Sequence, residues 1–203
     1  QGFSLIEHLI TEGHDVYVIS DSLMVESEYR TFLTVDDFYT LVFKDIQTDG
    51  NAHFDFIPPL FSDREKIPEN NMNDSLLYGR AIRRCENLHF DFIISNYLYP
   101  YGFIAGLVSA KYRIPHIVKH AGSDLFYLFN DPDLRSVAMD VITQSRIIIT
   151  NKLGKKTLER SGLKTKNCLT DIRTESAWPK SYLTTQTDFI EYMIEIAKSS
   201  PDD

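Results

Sequence analysis

Four short apolar runs, each bounded by turn or helix signals, set the tightest limit on what this chain can fold into. They are DVYVIS (Asp15 to Ser20), DFIISN (Asp91 to Asn96), HIVKH (His116 to His120) and RIIITN (Arg146 to Asn151). Their centres are nearly continuous rather than alternating, which suits parallel strands covered on both faces. Parallel neighbours need long crossover connections, and helical patterns fill the gaps. The expected fold class is therefore α/β: a Rossmann-like, three-layer α/β/α architecture with a mostly parallel sheet. A fifth run, HFDFI (His53 to Ile57), alternates and is stopped by Pro58 and Pro59, which makes it an edge strand or a crossing segment.

The helices follow from spacing and caps. Phe3, Ile6, Leu9 and Ile10 form one apolar stripe that Gly13 ends. Ser4 and Glu7 have capping-box spacing and offer Ser4 as an alternative start to Gly2. Further helices are expected from Asn73 to about Leu88 and from Gly102 to Tyr112, the latter rich in small residues suited to close packing on a sheet. Asp131 and Pro132 open a helix toward Gln144, and Asn151 caps another that Gly162 ends. Leu23 to Gln47 fits no such unit and is expected to be an insertion with a hairpin or short helix. The expected division is a Rossmann-like domain over 1–165, then an irregular segment over 166–203 that closes on an amphipathic helix from Thr187 to Ser199.

At 203 residues with 43% hydrophobic and 25% charged residues, the chain can bury a sizeable core. A net charge of −8 argues against a nucleic-acid partner, which needs a clustered basic face, and against adhesion to anionic membranes. Cys85 and Cys168 are far apart and have no metal-ligand spacing, so reduced thiols and a cytoplasmic location are expected. The histidines show no ligand spacing either, and neither a metal nor a cofactor is expected. No apolar stretch reaches membrane-spanning length. Gln1 enters helical pattern almost at once, so a truncated start is expected, with something preceding it.

In open α/β sheets ligands bind outside the carboxyl ends of the strands, which directs attention to the residues that follow each run. After HIVKH come His120, Gly122, Ser123 and Asp124. Gly122 frees the backbone, Ser123 and Asp124 can bind sugar hydroxyls, and His120 can donate to a phosphate or hydroxyl. Equally, Ser123 and Asp124 cap the next segment while His120 packs in the core; the residues alone leave these two readings even. Asn96 and Tyr97, in a loop with Tyr99 and Tyr101, and Asp21 after the first run hold equivalent positions. Aromatic faces and hydroxyls there suit carbohydrate or nucleoside contact, and a tyrosine-rich surface turn accounts for them equally well. Gly2, before the first helix, reads first as a simple turn glycine and otherwise as a place where a ligand approaches backbone N–H groups. No serine sits in a nucleophile-elbow sequence.

Together these segments resemble the N-terminal domain of retaining glycosyltransferases of the GT-B fold, glycosyltransferase family 4 type. QGFSLIEHLITEGHDVYVIS is similar to the family's glycine-rich loop, first helix and second strand. FDFIISNYLYPYGFIAGLVSAKYRIPHIVKHAGSDL resembles its stretch ending in HGSD, and RIIITNKLGKKTLERSGL its next strand and helix. The departures are Gln1-Gly2 for paired glycines, Ala121 where the family has its histidine with His120 one place earlier, and Asn96 for another histidine. The resemblance implies transfer of a sugar from a nucleotide-sugar donor to a carbohydrate or other hydroxyl acceptor. It implies His120 as the catalytic residue, Gly2 in the donor-phosphate loop, and acceptor contacts from Asp21, Asn96, Tyr97, Gly122, Ser123 and Asp124. The main donor site would lie on a C-terminal domain outside this chain, leaving the fragment inactive alone, with an interdomain face open to self-association. The alternative is a non-catalytic Rossmann-like binding module.

Overall fold

The structure, a computed structural model, describes residues 2–21, 52–57, 72–120, 123–164 and 168–170. The expected insertion over Leu23 to Gln47 and the closing helix from Thr187 to Ser199 lie outside the described residues. The chain divides into two compact units, Gln1–Ala81 and Ile82–Asp203.

In the first unit, α1 (Gly2–Thr11) begins at Gly2 rather than Ser4, so Gly2 is helical and does not precede the helix. It buries Ile6, Leu9 and Ile10, the stripe its spacing predicts. Gly13, at φ 86, turns the chain into β1 (Val16–Asp21). β1 pairs in parallel with β2 (Ala52–Ile57) over six positions, from Val16 opposite Ala52 to Asp21 opposite Ile57. The HFDFI run is thus a paired strand.

The helix α2 (Met72–Asn87) follows, and then the second unit builds a four-stranded, all-parallel sheet in the order β3 (Ile93–Asn96), β4 (His116–Lys119), β5 (Ile147–Thr150) and β6 (Cys168–Thr170). This confirms the α/β class with a parallel sheet and flanking helices. β6 was not expected, because three residues in a polar stretch carry no periodicity; pairing with β5 defines it, Ile148 opposite Cys168 and Thr150 opposite Thr170. Between β3 and β4 runs α3 (Phe103–Tyr112). Two helices, α4 (Ser123–Asn130) and α5 (Pro132–Gln144), separate β4 from β5. The helix α6 (Lys152–Arg160) leads from β5 toward β6. Among the described residues no helix is long and apolar enough to cross a membrane.

Caps predicted from sequence appear as expected. Asp131 Oδ1 accepts from the N–H groups of Asp133 and Leu134, at 2.9 and 3.0 Å, and Pro132 takes the first helical position. Asn151 Oδ1 accepts from Gly154 N–H at 2.6 Å. α3 packs on β3 and β4, as its small residues suggest, but Gly106 serves a different neighbour. A Cβ at Gly106 would lie 3.2 Å from a methyl of Val141, so this glycine lets α3 approach α5 rather than the sheet.

β4 and β5 are buried on both faces. Register aligns Ser95, Val118, Ile148 and Cys168 in one cross-strand row, and Val118, Ile148 and Cys168 join Leu125, Leu128, Ala138, Val141, Ile142 and Leu158 in the core. His116 lies on the same face as Val118, because strand side chains repeat every second residue. This buried imidazole is fully satisfied. Ser145 Oγ donates to the Val141 carbonyl at 2.7 Å, so it accepts from His116 Nδ1–H at 3.2 Å. Nε2 is then the acceptor for the Ser95 hydroxyl at 2.8 Å. The chain of donors fixes one neutral tautomer and ties β3, β4 and the α5–β5 turn together.

Burial pushes His116 down to about 4 from its ordinary 6.5. The unfolded chain therefore binds a proton at His116 before the folded one does, and this histidine's contribution to stability is full above pH 6.5 and lost as pH falls toward 4. The expected loss is about 3 kcal/mol. Urea denaturation at a series of pH values checks it: stability should fall across this window in the native chain and fall less in His116→Gln. Equal slopes in both would refute the assignment.

Candidate functional site

At the carboxyl ends of β3, β4 and β5 the second unit gathers its unexplained polar groups. The ladder between β4 and β5 runs one residue past the strand, since His120 N–H donates to the Ile149 carbonyl at 3.1 Å. His120 therefore still follows strand parity and lies on the face of Val118, beside Thr150 on the neighbouring strand. Its ring is buried, at 2% exposure.

Asp124 sits in the first turn of α4 and faces that ring. Its Oδ1 lies 3.6 Å from His120 Nδ1, an electrostatic contact rather than a hydrogen bond. Oδ2 accepts from Leu98 N–H at 2.9 Å, and Oδ1 from its neighbour Leu125 N–H at 3.1 Å. Burial by itself would raise the Asp124 carboxyl. The imidazole and the two backbone N–H groups outweigh it and hold the group below its ordinary value. Asp124 thus stays ionised while clamping the loop after β3 to the start of α4.

That loop begins at Asn96, the exposed last residue of β3. Tyr97 follows at φ 73 and ψ 149, a region almost confined to glycine. Its N–H donates to the Lys119 carbonyl at 2.6 Å and its carbonyl accepts from Gly102 N–H at 3.0 Å. A Cβ on Gly102 would sit 3.0 Å from the Tyr97 carbonyl oxygen, tighter than ordinary contact. The tyrosine ring is 40% exposed and Tyr99 is 45% exposed, so the rim of the site is aromatic.

Of the residues named from sequence, the fold brings Asn96, Tyr97, His120 and Asp124 to one end of one sheet. Ser123 is the first residue of α4, while Ala121 and Gly122 lie outside the described residues. Gly2 and Asp21 belong to the other unit, as the first residue of α1 and the last of β1. Among the described residues no group of three or more His, Cys, Asp or Glu side chains is placed to hold a metal.

Two participants were not foreseen. A Cβ on Gly154, in the first turn of α6, would come closer than 3.0 Å to both Thr150 Oγ1 and His120 Cε1, and 3.2 Å from Asn151 Oδ1. Thr150 and Gly154 thus close against the His120 ring at Cε1, the carbon between its two nitrogens. Both ring nitrogens of His120 and the Thr150 hydroxyl are buried without a hydrogen-bond partner among the described residues. No sequence motif announces this, since a threonine ending a strand and a glycine inside a helix are each ordinary.

Gly154→Ala is expected to destabilise by about 1–3 kcal/mol, because the methyl must displace strand and cap atoms rather than a flexible chain end. Gly79→Ala, on α2 with nothing within 4 Å of the added carbon, is expected to be neutral or to stabilise by up to about 1 kcal/mol. Urea denaturation of both variants checks the contrast, and equal effects would show that Gly154 is not a packing requirement.

Compared with known proteins, the chain matches no family model and no curated relative, which leaves the site's own geometry to carry its function.

Proposed function

We propose that this chain is the acceptor-side domain of a retaining glycosyltransferase of the GT-B type, in which a sugar passes from a nucleotide-sugar donor to a hydroxyl acceptor. The observation that carries the reading is the gathering of Asn96, Tyr97, His120 and Asp124 at the carboxyl ends of adjacent parallel strands, with the His120 ring unsatisfied. Ligands bind at this edge of such sheets. A sugar is held there by amide and hydroxyl hydrogen bonds and by an aromatic face, and Asn96 and Tyr97 supply these on the exposed rim. In this reading His120 exchanges a hydrogen bond with the reacting hydroxyl or phosphate. The principal donor contacts come from a further domain.

A second reading, a non-catalytic binding module, draws support from the same geometry. The Asp124 carboxylate is already engaged by two backbone N–H groups, and His120 is 2% exposed. The two readings part on chemistry rather than on binding.

The test incubates the 203-residue chain, and the same chain joined to its downstream coding sequence, with UDP- and GDP-sugars and free hydroxyl acceptors. Turnover is expected from the longer protein only, falling about 10²–10⁴-fold in His120→Ala. Robust turnover by the 203 residues alone would overturn the half-enzyme reading. Sugar binding at Asn96 and Tyr97 without turnover in either protein would establish the module.

A further inference from the structure

His116, which opens β4, and His120, which follows it, lie four residues apart on one face of the sheet, yet their surroundings differ. His116 has a hydroxyl on each ring nitrogen. His120 has a carboxylate facing Nδ1 at 3.6 Å and no hydrogen-bond partner on either nitrogen. A carboxylate can only accept, so the nitrogen facing Asp124 carries a proton. In the neutral ring Nε2 is then a bare lone pair that needs a donor, buried where water does not reach.

The structure offers one such donor among the described groups around Gly154. The Asn151 side-chain oxygen is an acceptor already taken by Gly154 N–H. Thr150 Oγ1 carries a proton, has no partner, is 1% exposed, and meets the His120 ring across the space that Gly154 leaves by lacking a Cβ. The strand register independently sets Thr150 beside His120, one step beyond Lys119 opposite Ile149. Two buried, complementary and unpaired groups converge on the same gap.

We propose that Thr150 is the positioning residue of His120. In the resting site its hydroxyl donates to Nε2, where the reacting group later takes its place, while Asp124 faces Nδ1–H, so the imidazole is held in a single tautomer and orientation at the carboxyl end of β4. As they stand the two groups make no hydrogen bond, and the side chains must move toward each other to close it. Gly154 is the reason the strand and the first turn of α6 leave room for it. The proposal rests on the reading of His120 as the functional group of this site, but its test does not depend on sugar transfer.

The ¹⁵N chemical shifts of the His120 ring in the full chain report the tautomer directly. The expected result is one tautomer with the proton on Nδ1. Thr150→Val keeps the β-branched shape and removes the donor; it should mix the two tautomers, and Thr150→Ser should restore the single one. A native chain with the proton mainly on Nε2 overturns the proposal without any variant being made. Thermal unfolding gives a second reading. If Thr150 has no partner, removing its buried hydroxyl raises Tm, which also overturns the proposal. If it serves His120, Thr150→Val lowers Tm and Thr150→Ser recovers it. A tautomer result as expected alongside failed sugar transfer in the longer protein would sink the glycosyltransferase reading and leave the positioning role standing.

Discussion

The backbone ladder that joins β3, β4 and β5 places β4 inside a sheet whose two faces are both closed, and most features of the second unit follow from that position. A strand so buried can hold a polar side chain only beside a partner, since an unpaired buried polar group costs about 1–3 kcal/mol. β4 nevertheless carries His116 at one end and leads into His120 at the other. Each histidine obliges its neighbours to be what they are. Ser95 and Ser145 answer the first. Asp124, Thr150 and Gly154 surround the second.

Direction along the sheet separates the two roles. His116 lies at the amino end of β4, where its donors and acceptors are paired off and it holds three segments together. His120 lies at the carboxyl end, where parallel sheets bind ligands, and there the pairing is incomplete. The same residue type is structural at one end and available for chemistry at the other, because pairing uses up the hydrogen-bonding capacity that recognition needs. The loop after β3 adds to this asymmetry. Tyr97 is held in a conformation that costs about 1–3 kcal/mol by its bonds to Lys119 and Gly102, while Leu98 N–H is fixed on Asp124. Strain of this kind persists only where surrounding bonds over-determine it, and here those bonds all converge on the site's rim.

Much of this fold was legible in the sequence. The runs at 91–96, 116–120 and 146–151 became β3, β4 and β5 with ends shifted by one or two residues, since continuous β-branched apolar runs have few other ways to be buried. Asp131-Pro132 and Asn151 marked helix starts because capping is local chemistry between neighbours in the chain. Three features escaped. β6 exists through pairing with β5, which a three-residue segment does not advertise. Gly106 faces Val141 on another helix instead of the sheet, a choice made by helix packing. Nothing in TNKLG indicated that Thr150 and Gly154 would enclose a histidine thirty residues earlier.

By itself the sequence determined that strands of this kind must be parallel and covered, and that polar residues would collect where they end. Those outcomes depend on period, side-chain type and local caps, all of which are properties of neighbouring residues. Only the tertiary structure decided which polar groups are spent on one another: Ser95 and Ser145 on His116, and the Leu98 and Leu125 N–H groups on Asp124. It also decided that His120 faces Thr150 across Gly154 while still unsatisfied. Such pairings are fixed by strand register and by how closely a helix can approach a sheet, and both are set by contacts between residues distant in the chain.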